Sequence, residues 1–90
     1  MNELIEQLVR ETGSANPFAI AAARSIAVEY GEWTPVTLGE YDDRSRTITI
    51  NRRAAADHRI IAAHELGHAI LGRDASESDC DRFARLLLRL

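Results

Sequence analysis

Apolar residues recur at helical spacing from the start of the chain. Leu4, Ile5, Leu8 and Val9 share one face of a helix over residues 2–12, which Thr12-Gly13-Ser14 then stops. Asn16-Pro17 opens a second helix, with asparagine at the cap and proline at the first helical position. Its apolar content, Phe18, Ile20, Ala21, Ala22, Ala23 and Ile26, carries it to about Ala27. Val28-Glu29-Tyr30 with Gly31 fits a short strand, and Trp33-Thr34-Pro35 a connection. Beyond it the pattern changes period. Ile48 and Ile50 alternate with Thr47, Thr49 and Asn51, and the segments Val36–Tyr41 and Arg46–Asn51 flank the turn-rich Asp42-Asp43-Arg44-Ser45, which predicts a β-hairpin. From about Ala55 to Leu71 no residue breaks a helix except a tolerated Gly67, and Gly72 stands where a C-terminal cap belongs. Ser76 to Asp79 imitates a capping box, with Asp in place of Glu, ahead of the apolar face Phe83, Leu86, Leu87 and Leu90. The expected architecture is α+β: two N-terminal helices, a small sheet with a hairpin, and two C-terminal helices.

Composition narrows this without altering it. With 90 residues, 46% of them hydrophobic and 28% charged, the chain is expected to be one soluble globular domain over residues 1–90. It has no uncharged tract long enough to span a membrane, and its first residues lack the basic and apolar regions of a signal peptide, so the expected location is the cytoplasm. A net charge of −3 with dispersed basic residues gives no footprint for nucleic acid. Cys80 is the only cysteine, which excludes an intramolecular disulfide and a cysteine-based zinc knuckle.

The chemistry lies in IIAAHELGHAILG, residues 60–72, where His64, Glu65 and His68 are the only polar side chains. A helix apolar nearly all round is expected to be buried. Burying these three groups without partners would cost about 1 to 3 kcal/mol for each neutral one and more for a charge. A metal ion satisfies them together. His64 and His68 stand about 40° apart around the helix and about 6 Å apart along it, so both rings reach one ion, and neutral imidazole is a good zinc ligand. Glu65, about 100° from His64, reaches a water beside that ion as a general base without ligating it. HExxH on a helix is a specific signal for this chemistry.

A third ligand is needed, and Glu77 is the candidate because the short connection Arg73–Ala75 brings the first turn of the last helix level with His68. Asp79 is the rival. Asp81, one turn beyond Glu77, can accept the second ring N–H of a ligating histidine and fix its orientation; pairing with Arg85 is the alternative. His58 lies about 240° from His64 around the helix and reads as a surface residue. Cys80 reads as a small core residue, Trp33 and Tyr41 as core aromatics, and the arginines 44, 46, 52 and 53 as solvated charges around the hairpin. Tyr30, Tyr41, His58 and Arg85 are the candidates, by elimination, for stabilising charge on a carbonyl oxygen.

These residues resemble the ImmA/IrrE group of zinc metallopeptidases: HELGH, then ESDCDRFARLLL, preceded by NPFAIA, VEYG and a TITIN strand, over about Asn16 to Leu87. Glu77-Ser78-Asp79-Cys80-Asp81 looks like the glutamate-bearing element of the wider gluzincin class. The resemblance implies a small zincin-like fold in which His64, His68 and Glu77 bind Zn2+, Glu65 is the base and Asp81 orients a histidine. It also implies a peptide or protein substrate, with a helix-turn-helix repressor as the typical one. The chain departs from the group in its short spacing from His68 to Glu77 and in Cys80, where alanine is usual. Hydrolysis of peptide bonds is the leading expectation. The alternative is a zinc-stabilised module that docks on a regulatory partner without cleaving it.

Overall fold

The computed structural model describes residues 1–33 and 37–90. Its elements follow in the order α1 (Asn2–Thr12), α2 (Pro17–Ala23), β1 (Ala27–Gly31), β2 (Gly39–Asp42), β3 (Thr47–Asn51), α3 (His58–Leu71) and α4 (Glu77–Leu88). Local chemistry sets most of the boundaries. Gly13 ends α1 in the left-handed region, its φ of 77° being open to a residue without Cβ. Asn16 caps α2 by accepting from the Phe18 N–H. Ser76 and Asp79 form a reciprocal capping box at the start of α4.

Three boundaries differ from the sequence reading. α2 stops at Ala23, short of Ala27, because Ser25 takes a left-handed conformation (φ 58°) that swings Ile26 into the core and delivers Ala27 to the sheet. α3 begins at His58 instead of Ala55, since Asp57 accepts from the Arg59 N–H and so supplies the cap. The first hairpin strand is Gly39–Asp42, later than the predicted Val36–Tyr41; Val36, with Thr34 and Pro35 of the predicted connection, lies outside the described residues.

The sheet has the order β1-β3-β2, with β1 parallel and β2 antiparallel to the central β3. Ile48 and Ile50 are fully buried on the face covered by helices, while Thr47 and Thr49 alternate onto the other face. One apolar core joins the layers: Leu8 of α1, Ile20 of α2, Ile61 and Leu66 of α3, and Phe83 and Leu87 of α4 belong to one buried cluster with those two isoleucines. Asn51, fully buried, donates from Nδ2 to the carbonyls of Trp33 and Thr37 at 3.2 and 3.0 Å and accepts from the Arg53 N–H. It therefore fixes both ends of the passage from β1 to β2.

Two consequences bear on the site. β2 is an edge strand. Asn51 donates its N–H to the Leu38 carbonyl, so Glu40 and Asp42 also turn their backbone groups toward β3, and Gly39 and Tyr41 turn theirs to the open edge. α3 is not enclosed all round as its composition suggests: Ile61, Ala62, Ala63, Leu66 and Gly67 are buried, but Ile60 is 40% exposed and His64 and His68 are half-buried.

Candidate metal centre

α3 and α4 cross closely at Gly67. A Cβ on Gly67 would stand 3.2 Å from the Cα of Cys80 and 3.3 Å from Cδ1 of Phe83, so hydrogen at that position is what admits α4. The crossing brings the first turn of α4 over the side chains on either side of Gly67. Glu77 Oε2 lies 2.6 Å from Nε2 of His64, and Oε1 lies 3.0 Å from Nε2 of His68. On the other side of the His64 ring, Asp81 Oδ1 stands 2.7 Å from Nδ1. One ligand atom from each of His64, His68 and Glu77 falls within 4.8 Å of the others, an arrangement that could hold a metal ion. Asp79, the rival to Glu77, is instead engaged in the capping box.

The donor set fits a cation. A carboxylate only accepts hydrogen bonds, so the Asp81 contact places a hydrogen on Nδ1 of His64 and leaves Nε2 of the neutral ring with a lone pair. That lone pair faces a Glu77 oxygen, and a proton or a metal ion must lie between them. Without a metal a proton there is favoured: burial disfavours charge on His64, but the hydrogen bonds to Glu77 and Asp81 outweigh it and raise the pKa. The same hydrogen bond from His64, helped by His68, holds the Glu77 carboxyl below the usual range.

Glu65 is placed differently. It is only 8% exposed, and among the described residues its carboxylate accepts no hydrogen bond, yet no buried side-chain oxygen is cut off from both solvent and partners. Its oxygens therefore open onto a cavity. Burial raises its pKa, Glu77 and Glu40 add to that, and His64 and His68 oppose it.

Two cavities meet at Glu65, Glu77 and Gly39. The larger, about 550 Å³, runs past His68 to Tyr41, Asp43 and Arg73. The smaller, about 300 Å³, runs past His64 to Leu38, Ile60 and Ile61. Of the four residues named from the sequence as carbonyl-oxygen stabilisers, Tyr41 lines the larger cavity, its hydroxyl 3.3 Å from Asp43 Oδ1 and its pKa raised by burial and then by that carboxylate. Tyr30 and His58 pack against each other, ring centroids 5.7 Å apart, outside the cluster. Cys80 is buried, and burial with the carboxylates around it pushes its thiol up to about 11.

Sequence reasoning passed over Gly39, Leu38, Ile60 and Arg73. Gly39 carries a usable signal, since an isolated glycine in a strand marks a close backbone approach. A Cβ there would stand 2.7 Å from Cγ2 of Ile61 and 3.4 Å from Cγ of Glu65. No comparable signal marks the others, which become cavity walls only when β2 is laid beside α3.

Residues 26–87 match the family model described as IrrE N-terminal-like domain, Peptidase_M78. No curated protein matches the chain.

Proposed function

The chain belongs to the Peptidase_M78 family of IrrE N-terminal-like domains, and from that membership we propose that it is a zinc-dependent peptidase acting on a protein substrate in the cytoplasm. A lone reduced Cys80 is at home there. His64 and His68 through Nε2, and Glu77 through its carboxylate, are the proposed ligands. Asp81 is the proposed orienting group, accepting from Nδ1 of His64. When bound, zinc supplies a Lewis acid that polarises the scissile carbonyl and acidifies water. Glu65 takes a proton from the attacking water onto its carboxylate and delivers it to the leaving amine. The peptide lies along the open edge of β2, hydrogen-bonded to the backbone of Gly39 and Tyr41. A helix-turn-helix repressor is the first protein to test as substrate, as the resemblance of HELGH and ESDCDRFARLLL to the ImmA/IrrE group suggests.

The observation that carries this reading is Glu65: a buried carboxylate, free of protein partners among the described residues, opening on the cavity beside His68 and Glu77. A zinc site with only a structural role has no need of one. The test is Glu65→Gln in the zinc-loaded chain, assayed on a degenerate peptide mixture. Zinc per chain is expected to stay equal to wild type while cleavage falls by about 100-fold or more. Undiminished cleavage removes Glu65 as the base. A zinc-loaded wild type that cuts nothing leaves the docking module as the surviving reading.

A further inference from the structure

A peptide bond that takes up water gathers negative charge on its carbonyl oxygen, and a hydrogen-bond donor fixed beside that oxygen is among the largest aids to the reaction. Outside the proposed ligands, three side chains lining the larger cavity can donate: Thr37, Tyr41 and Arg73. The smaller cavity adds none. Thr37 is exposed and stands before β2, and Arg73 is 85% exposed, its guanidinium 3.8 Å from Asp43. Tyr41 is the donor that the sheet holds against the helix.

Tyr41 pairs with Ile48 across the sheet and Gly39 with Ile50, so the phenol ring shares the helix-covered face with those two buried isoleucines. On that face a Cβ at Gly39 would stand 2.7 Å from Cγ2 of Ile61 and 3.4 Å from Cγ of Glu65. β2 and α3 run the same way, since the chain beyond β2 meets Arg73, just past the end of α3, at Asp43. From Gly39 to Tyr41 the strand advances about 7 Å, the length of about four to five residues of helix. Tyr41 therefore stands beside the stretch from Glu65 to Ala69, and it lines one cavity with Glu65, His68 and Glu77. Its backbone meanwhile faces the open edge where the peptide pairs.

The phenol is protonated and lightly held. Burial and then the Asp43 carboxylate raise its pKa from 10.0, which keeps the hydrogen in place at neutral pH. Its bond to Asp43 Oδ1 is 3.3 Å long, whereas strong bonds from a hydroxyl to a carboxylate are about 2.5 to 2.7 Å, so it exchanges readily for a closer acceptor. We propose that Tyr41 is a catalytic residue, donating a hydrogen bond to the oxygen of the scissile carbonyl while that oxygen carries charge. The water oxygen bonds to the carbonyl carbon as the π pair moves onto oxygen. That pair returns as the C–N bond breaks, Glu65 passes the proton to the nitrogen, and the phenol keeps its own proton throughout. This rests on the peptidase reading above.

The probe is a phosphinic peptide, which carries a charged tetrahedral group in place of the scissile amide and is not cut, made on the sequence that zinc-loaded Glu65→Gln binds most tightly. Its affinity for the zinc-loaded full chain is expected to fall by at least about tenfold in Tyr41→Phe. In the Glu65→Gln background the same substitution is expected to change the affinity of the matching amide peptide by less than about twofold, a split that a merely structural role does not produce. On peptides that are cut, kcat is expected to fall about 100-fold with KM and zinc per chain unchanged. Equal affinity for the phosphinic peptide, equal kcat, or a loss shared equally by the phosphinic and amide peptides overturns the assignment. A wild type that cuts nothing, yet binds the phosphinic peptide through Tyr41, overturns the peptidase reading alone.

Discussion

The Cα of Cys80 stands 3.2 Å from the point where a side chain on Gly67 would begin, and this closeness sets the reach of Glu77. Glu77 lies three residues before Cys80, and His64 and His68 flank Gly67, so the crossing and the His-His-Glu cluster are one geometric fact. Gly67→Ala would push on Cys80 and Phe83, at an overpacking cost of about 1 to 3 kcal/mol. Better helix propensity would offset that by about 1 kcal/mol. Thermal stability is therefore expected to change little while zinc affinity falls, because α4 yields outward and takes Glu77 with it. A metal titration beside a melting curve checks this, and an unchanged affinity would show that the crossing does not set the site.

Asp81 offers a second handle on the same cluster that leaves the proposed ligands themselves unaltered. Asp81→Asn keeps an acceptor near Nδ1 of His64 but removes the charge, and Asp81→Ala removes both. Loss of such an orienting partner weakens metal binding by about 10- to 100-fold. Competition against a chelating dye is expected to rank wild type above Asn and Asn above Ala. Equal affinity in all three would mean that the ring is held by packing alone.

The elements were legible where their signals are local. Asn16-Pro17, the Ser76–Asp79 box and Gly13 act within one turn of chain, and each stands at an observed boundary. The end of α2 was not legible, because Ser25 has no glycine-like reason to be left-handed. Burial of Ile26 and the bond from Arg46 Nη2 to the Arg24 carbonyl, 22 residues away, hold it there. The convergence of His64, His68, Glu77 and Asp81 was readable from two helical spacings and a short connection. Asn51 was not, since its position depends on β3 lying between β1 and β2, a pairing that leaves no mark on local pattern, and the lone glycine at 39 marks a close approach without naming α3 as the element approached.

Without metal, stability is expected to fall as pH rises. The pKa of His64 is raised above its ordinary 6.5, so its stabilisation is complete below that value and is lost as pH climbs through the raised one. The raised pKa of buried Glu65 acts in the same direction, because ionisation above its ordinary 4.5 disfavours the folded state. Glu77, lowered below 4.5, sets the acid limit: its contribution is present above that value and lost as pH falls through the lowered one. Its side chain is 76% exposed, so solvent and salt screen that last contribution. Melting of the metal-free chain should then occur at a higher temperature at about pH 5 than at about pH 8. Zinc reverses the trend, since the ligands must lose protons to bind it. A metal-free chain that is more stable at the higher pH would contradict the hydrogen bonding drawn for His64.

Asn51 tests whether the edge of the cleft is held separately from the metal. Its amide donates to the Trp33 and Thr37 carbonyls and accepts from the Arg53 N–H, so its two ends are matched to donors and acceptors on the passage into β2. Asn51→Asp preserves shape but sets a carboxylate oxygen against two carbonyl oxygens; Asn51→Ala leaves those carbonyls without their donor. Each unpaired buried group costs about 1 to 3 kcal/mol, and more where a charge is involved, so both variants are expected to lose stability in urea, Asp more than Ala. Asn51 lies outside the His-His-Glu cluster, and zinc per folded chain is expected to remain that of wild type. Faster hydrogen exchange at the Glu40 and Asp42 amides, which face β3, is expected as the entry to β2 loosens. If zinc affinity falls in step with stability, the edge strand and the metal centre form one cooperative unit, and a peptide added to that edge would be felt at His64 and His68.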